Sequence, residues 1–160
     1  MKKNAKSLKN FVVTIGILLV ITSFQSLGSG TAYLICKSES GRTLFNAELQ
    51  DIDGILENAV LEIDGVKLNF NEEDISQIIL DSKNGVFTIA TENKYNAQKS
   101  GIKIKYLKFW AIPKTFEIIT NNESEQIYRF KGKVQASEPR KNKDLQTPII
   151  ELNCELRYKI

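Results

Sequence analysis

The amino-acid sequence predicts an all-β fold: a small antiparallel β-sandwich or barrel of about eight to nine strands, with at most one short helix, preceded by a signal peptide. Three observations carry this expectation. Apolar and polar residues alternate with period two in one short run after another, which is the pattern of half-buried strands. Turn-forming clusters such as Asp64-Gly65 and Ser82-Lys-Asn-Gly85 separate those runs at the spacing of all-β domains. The first 32 residues obey a different rule, with a basic start, an apolar run and a small-residue end.

The leader comes first. Lys2, Lys3, Lys6 and Lys9 form a positive opening with no acidic residue. Phe11 to Phe24 is a run of 14 residues without a charge, and Ser26, Gly28, Ser29, Gly30, Thr31 and Ala32 follow it. A secretory signal has its regions in that order. The expected division is therefore a signal peptide over 1–32 and a single β-domain over 33–160. A cut after Ala32 places Gly30 and Ala32 at the two small-residue positions, and a cut nearer Gly28 is the alternative. The other reading is an envelope protein anchored by an uncleaved N-terminal helix. A spanning helix needs about 20 apolar residues, and this run is shorter.

The strands follow in order. Tyr33 to Ser38 is a first strand with Leu34 and Cys36 on one face. Thr43 to Asp51 places Phe45, Ala47 and Leu49 together. Ala59 to Ile63 and Val66 to Phe70 flank Asp64-Gly65, a two-residue hairpin turn in which both positions take positive φ. Asn71-Glu-Glu-Asp74 reads as a helix start, with Asn71 as N-cap and acids in the first turn. Ile78 to Asp81 and Val86 to Thr91 form the next hairpin, and Asn93 to Gly101 is a polar loop. Ile102 to Ile112 is a strand that Pro113 ends. Phe116 to Thr120 and Ile127 to Ala136 flank a polar turn, which carries the glycosylation triplet Asn122-Glu-Ser124. Glu138 to Pro148 is a charged loop. In the last strand Ile150, Leu152, Cys154, Leu156, Tyr158 and Ile160 are apolar, and the residues between them are polar, so Cys154 points inward.

Cys36 and Cys154 are the two cysteines of the chain. In an exported protein they read as a disulfide tying the first strand to the last. Two cysteines without a histidine build no credible zinc site, and the absence of histidine from the chain removes imidazole acid–base chemistry. No Walker loop, dinucleotide-binding glycine pattern or nucleophile elbow is present. Asp51-Ile-Asp53-Gly54 lacks the ligand spacing of a calcium-binding EF-hand loop. The expectation is a protein that is not an enzyme and that needs neither metal nor cofactor.

Charge narrows the partners. The chain has 22 basic and 19 acidic residues, and the four leader lysines account for more than the excess. Nucleic-acid binding, which needs a strongly basic domain, is not expected. Contact with a membrane is expected only in passing, through the signal. The acids concentrate between Tyr33 and Asn93 and the bases between Lys94 and Ile160. Either the two halves interleave and neutralise each other, or the surface is dipolar.

The candidate binding residues are Arg129, Lys131, Lys133, Lys103, Lys105 and Trp110. Arg129, Lys131 and Lys133 share the outer face of their strand. Lys103 and Lys105 are expected to do the same on the strand from Ile102, with Arg140, Lys141 and Lys143 extending the patch from the loop. Such a face suits an anionic polymer or a partner protein. The plainer reading is a solvated face whose cations pair with Glu151 and Glu155 across the strands. Tyr106 and Trp110 share one parity, Leu107 and Phe109 the other. Both sides of that stretch are apolar, so cover on both sides is expected, with Trp110 in the core or, alternatively, serving as a stacking platform for a ligand.

The two-cysteine layout and the segment Leu107-Lys-Phe-Trp110 are similar to those of small exported bacterial lysozyme inhibitors. The serine- and glycine-rich inhibitory loop of that family has no counterpart here, so the resemblance assigns no inhibitory residue. The functional expectation is an exported, non-catalytic binding protein of the periplasm, cell envelope or extracellular space. The alternative is a secreted inhibitor of a lysozyme- or protease-like enzyme, acting through the 93–101 or 138–148 loop.

Overall fold

The computed structural model describes residues 30–51, 54–71, 75–93, 105–138 and 145–159. Within them lie eleven strands and no helix: β1 (Thr31–Lys37), β2 (Thr43–Leu49), β3 (Leu56–Ile63), β4 (Val66–Asn71), β5 (Ile75–Asp81), β6 (Val86–Glu92), β7 (Tyr106–Ala111), β8 (Glu117–Asn121), β9 (Glu125–Glu138), β10 (Leu145–Gln146) and β11 (Ile150–Lys159). They make one antiparallel sheet in the order β4-β3-β2-β1-β11-β9-β7-β6-β5. The 14-residue β9 is its spine. On one side β9 pairs with β11 and then β10; on the other it pairs with β8 and then β7.

The sheet curls around its apolar side into a half-barrel. Phe45 of β2 and Phe109 of β7 stack with ring centroids 5.0 Å apart, although β1, β11 and β9 lie between their strands. Phe87 and Phe130 meet Phe109 and each other edge-on or tilted, at 5.8 to 6.3 Å, and Phe116 stacks on Phe130 at 4.7 Å. Offset and edge-to-face contacts of this kind add to the stabilisation that burial alone provides. Gly132 leaves room for the cluster: a Cβ there would lie 2.6 Å from the Phe109 ring and 3.2 Å from Cys154 Sγ.

Local chemistry accounts for the hairpins. Asp64 and Gly65 take φ of 49° and 83°, the left-handed pair that a tight two-residue turn requires. The turn sets Ile63 opposite Val66, Leu61 opposite Leu68 and Ala59 opposite Phe70, so both strands present their apolar side to the core. Between β5 and β6, the Asp81 carboxylate accepts bonds from the Asn84 backbone and side-chain N–H groups. Those bonds, the side-chain one foremost, hold the Asp81 carboxyl below its ordinary pKa.

Cys36 and Cys154 occupy directly opposed positions of β1 and β11 and form a disulfide. Such a bond fits an oxidising compartment. It sits at the junction of two sheet halves, β4-β3-β2-β1 and β11-β9-β7-β6-β5.

Several sequence-based expectations shift. Strand β1 starts at Thr31, with Ala32 fully buried, so the sheet begins two residues before Tyr33. The 138–148 segment contains a short strand, β10, because Leu145 and Gln146 pair with the end of β9. The expected helix after Asn71 falls on residues 72–74, outside the described ones, and Asn71 itself ends β4. The stretch from Tyr106 to Ala111 is not covered on both sides. Leu107, Phe109 and Ala111 are buried, whereas Tyr106 and Lys108 are exposed and Trp110 is half-buried. Phe109 takes the inside because it lies in register between the buried Ile89 and Val134, which sends Trp110 to the other face.

The order of strands also answers the charge question. The base-rich second half of the sequence forms the centre of the sheet. The acid-rich first half is split between the two flanks, β1–β4 and β5–β6. The halves therefore alternate across the sheet rather than forming two poles.

Candidate functional site

Strand register lays the outer face out in rows. One row runs Ile79, Thr88, Trp110, Lys133, Glu151 across β5, β6, β7, β9 and β11. The next runs Gln77, Ala90, Lys108, Gln135. A third joins Glu92, Tyr106, Ser137 and Gln146. The upper two rows enclose an open depression of about 400 Å³, lined by Gln77, Tyr106, Lys108, Gln135 and Ser137 among others. Trp110 lies one row away from the hollow, in register with Lys133, and neither residue lines it.

Most cations of this face are held by glutamates. Arg129 Nε donates to Glu155 Oε2 at 3.0 Å, and Arg157 Nη2 lies 2.9 Å from Glu155 Oε1. These two guanidinium groups, Arg129 first, hold the Glu155 carboxyl below its ordinary pKa. Lys131 Nζ donates to Glu151 at 3.1 Å. Lys105 Nζ lies 2.8 Å from Glu92, and that carboxylate raises the lysine pKa. The carboxylates are placed as cross-strand partners, which is their ordinary role on a sheet surface.

Four lysines of this face, Lys37, Lys108, Lys133 and Lys159, make no ion pair with a described carboxylate, and two of them, Lys108 and Lys133, stand beside the indole. Lys108 instead places its Nζ 5.2 Å from the centre of the Trp110 ring. A contact of this kind at an exposed site is worth about 0.5–1 kcal/mol, so an anionic ligand can readily displace it. The arrangement brings together one indole, two available ammonium groups, two amides and a shallow hollow. It supplies stacking, charge and hydrogen bonds.

The expected site residues are therefore divided. Trp110 and Lys133 come together, and Arg129 and Lys131 sit two rows and one row further along the same face, each in an ion pair. Lys105 precedes β7 and has the parity of Leu107 and Phe109, so it belongs to the edge beside Glu92 rather than to the row of Lys133. Lys103, Arg140, Lys141 and Lys143 lie outside the described residues, as does most of each loop considered for an inhibitor. Asn122 sits in the exposed β8–β9 turn, its Oδ1 accepting from the Ser124 and Glu125 backbone N–H groups.

Lys108, Gln77 and Gln135 were not among the expected residues. Lys108 shares the parity of Trp110 two positions on, and that spacing alone places it beside the indole. The glutamines carry no comparable signal, since only sheet register brings them to one row. Among the described residues no cluster of three or more acids, histidines or cysteines could hold a metal ion, and no helix is long and apolar enough to cross a membrane. Comparison with protein-family models, with curated proteins and with solved structures finds no match to this chain.

Proposed function

We propose that this chain is an exported, non-catalytic binding protein of the cell envelope or extracellular space, and that it holds its partner on the outer sheet face around Trp110, Lys108 and Lys133. The observation that carries the reading is the contrast within that face. Arg129, Lys131 and Arg157 are each neutralised by a glutamate, whereas Lys108 and Lys133 flank the indole without an ion pair. The hollow beside them is open, and its lining mixes amide and hydroxyl side chains with Ala90, Leu107 and the Tyr106 ring, while its one carboxylate, Glu92, is held by Lys105, so it offers an extended chain both apolar surface and hydrogen bonds. An anionic polysaccharide fits this chemistry: sugar faces pack on the indole and carboxylates meet the lysines. Export rests on the basic–apolar–small order of the leader and on the disulfide.

Affinity electrophoresis in gels containing polygalacturonate, with dextran as the neutral control, tests the binding reading. The exported protein should be retarded by polygalacturonate alone. Trp110→Ala and Lys133→Glu should each abolish the retardation, whereas Arg129→Gln should leave most of it. Equal mobility in both gels would overturn the polysaccharide reading and leave an acidic partner protein as the outcome to pursue.

A further inference from the structure

We infer that the leader is removed at the Gly28–Ser29 bond, so that the folded protein begins at Ser29. The inference rests on the export proposed above and adds to it the geometry of β1. Small residues occupy both required positions for a cut after Gly28 (with Ser26), after Gly30 (with Gly28) or after Ala32 (with Gly30). The sequence rule does not choose among the three.

The fold does choose. The peptidase meets an extended chain, so the folded structure limits not its access but what must survive the cut. A cut after Ala32 removes a fully buried core side chain, paired with Leu49 on one side and Tyr158 on the other. It also removes Thr31, which pairs with Lys159. Both losses fall on β1, the strand that joins the two sheet halves. A cut after Gly30 is excluded on different grounds. Gly30 is buried at the head of β1, and a Cβ on it would collide with the Lys159 carbonyl oxygen and lie 2.8 Å from a Tyr158 ring carbon. The Gly30 backbone is thus part of the contact with β11, and glycine is required there for packing. Cutting at that point would also replace the Thr31 amide, at the head of the ladder, with a charged amine. Gly28–Ser29 is the one bond of the three whose hydrolysis leaves every described contact intact.

The chemistry is amide hydrolysis by the signal peptidase of the export machinery. The Gly28 C–N bond breaks, water supplies hydroxyl to the Gly28 carbonyl carbon and hydrogen to the Ser29 nitrogen, and no other reactant is needed.

The full chain is expressed in a bacterial host, the exported and cytoplasmic fractions are separated, and the N-terminus is read by intact mass and sequential degradation. The expected result is a single exported species beginning at Ser29. An exported species beginning at Thr31, Tyr33 or any other residue overturns the inference and leaves the export reading standing. Full-length protein confined to the cytoplasm overturns both. Gly28→Arg is the second arm, placed outside the described fold. Uncut precursor should accumulate if Gly28 occupies the cleavage position, and unchanged processing of this variant overturns the inference.

Discussion

Removing the Cys36–Cys154 bond should cost this protein about 5 kcal/mol, and the size of that loss follows from where the bond lies. The two cysteines are 118 residues apart in sequence, so the bond closes nearly the whole described chain into a loop in the unfolded state. The chain-entropy relation for a loop of that length gives about 5 kcal/mol at 25 °C. In the native state Cys36 and Cys154 are already register partners on hydrogen-bonded strands, so the folded sheet orders little more when the sulfurs join. Both side chains are buried, and alanine at the two sites leaves a small void beside Gly132, which adds to the loss. Domains of this size are stable by only about 5–15 kcal/mol, so the double variant Cys36→Ala/Cys154→Ala stands near its threshold. Equilibrium unfolding in guanidinium, followed by circular dichroism, measures the effect. With slopes of about 2–6 kcal/mol/M, the midpoint should fall by about 0.8–2.5 M, or the variant should be unfolded without denaturant. A loss under about 1 kcal/mol, with the native disulfide verified by mass before and after reduction, would refute the reasoning.

Three other outcomes follow from particular contacts. Gly132→Ala drives a methyl into the Phe109 ring and should destabilise the protein by about 1–3 kcal/mol in thermal or chemical unfolding; a neutral result would mean the cluster has slack. Trp110 is the chain's single tryptophan and lies half-buried on the outer face, so its emission in the folded protein should be readily quenched by acrylamide, as a core indole would not be. Glu155 has its pKa lowered from the ordinary 4.5 by Arg129, so its contribution is present above that value and is lost as pH falls through the lower folded-state value. Glu155→Gln should therefore cost up to about 1 kcal/mol at pH 7, a deficit that shrinks to nothing in acid, as urea unfolding at the two pH values would measure.

Much of the fold is legible in single segments. Asp64-Gly65 announced its hairpin, and the register it sets placed Ile63, Leu61 and Ala59 opposite Val66, Leu68 and Phe70 as their spacing requires. The alternation from Ile150 to Tyr158 sent Cys154 inward, where it meets Cys36. Tyr106 to Ala111 was different. Apolar residues stand at both parities there, so alternation could not say which side faces the core. Ile89 and Val134, on neighbouring strands, decided it in favour of Phe109. The candidate site shows the same divide. Lys133 and Trp110 were each visible as outward or aromatic residues, but that they face each other, with Lys108 over the indole, depends on pairing β7 to β9.

The physical reason is one of range. Successive side chains of an extended backbone must point to opposite sides, and a two-residue turn must accept positive φ, so strands, faces and tight hairpins are written in a few consecutive residues. Which distant strands lie together, and which glutamate neutralises which cation, is settled by burial and charge pairing summed over the whole sheet. The order β4-β3-β2-β1-β11-β9-β7-β6-β5 is such a sum: the cysteine pair pointed to the first strand meeting the last, but no local signal places β9 between β11 and β7 or the basic half between two acidic flanks. The outer patch around Trp110 exists because of that order, and no single stretch of the chain encodes it.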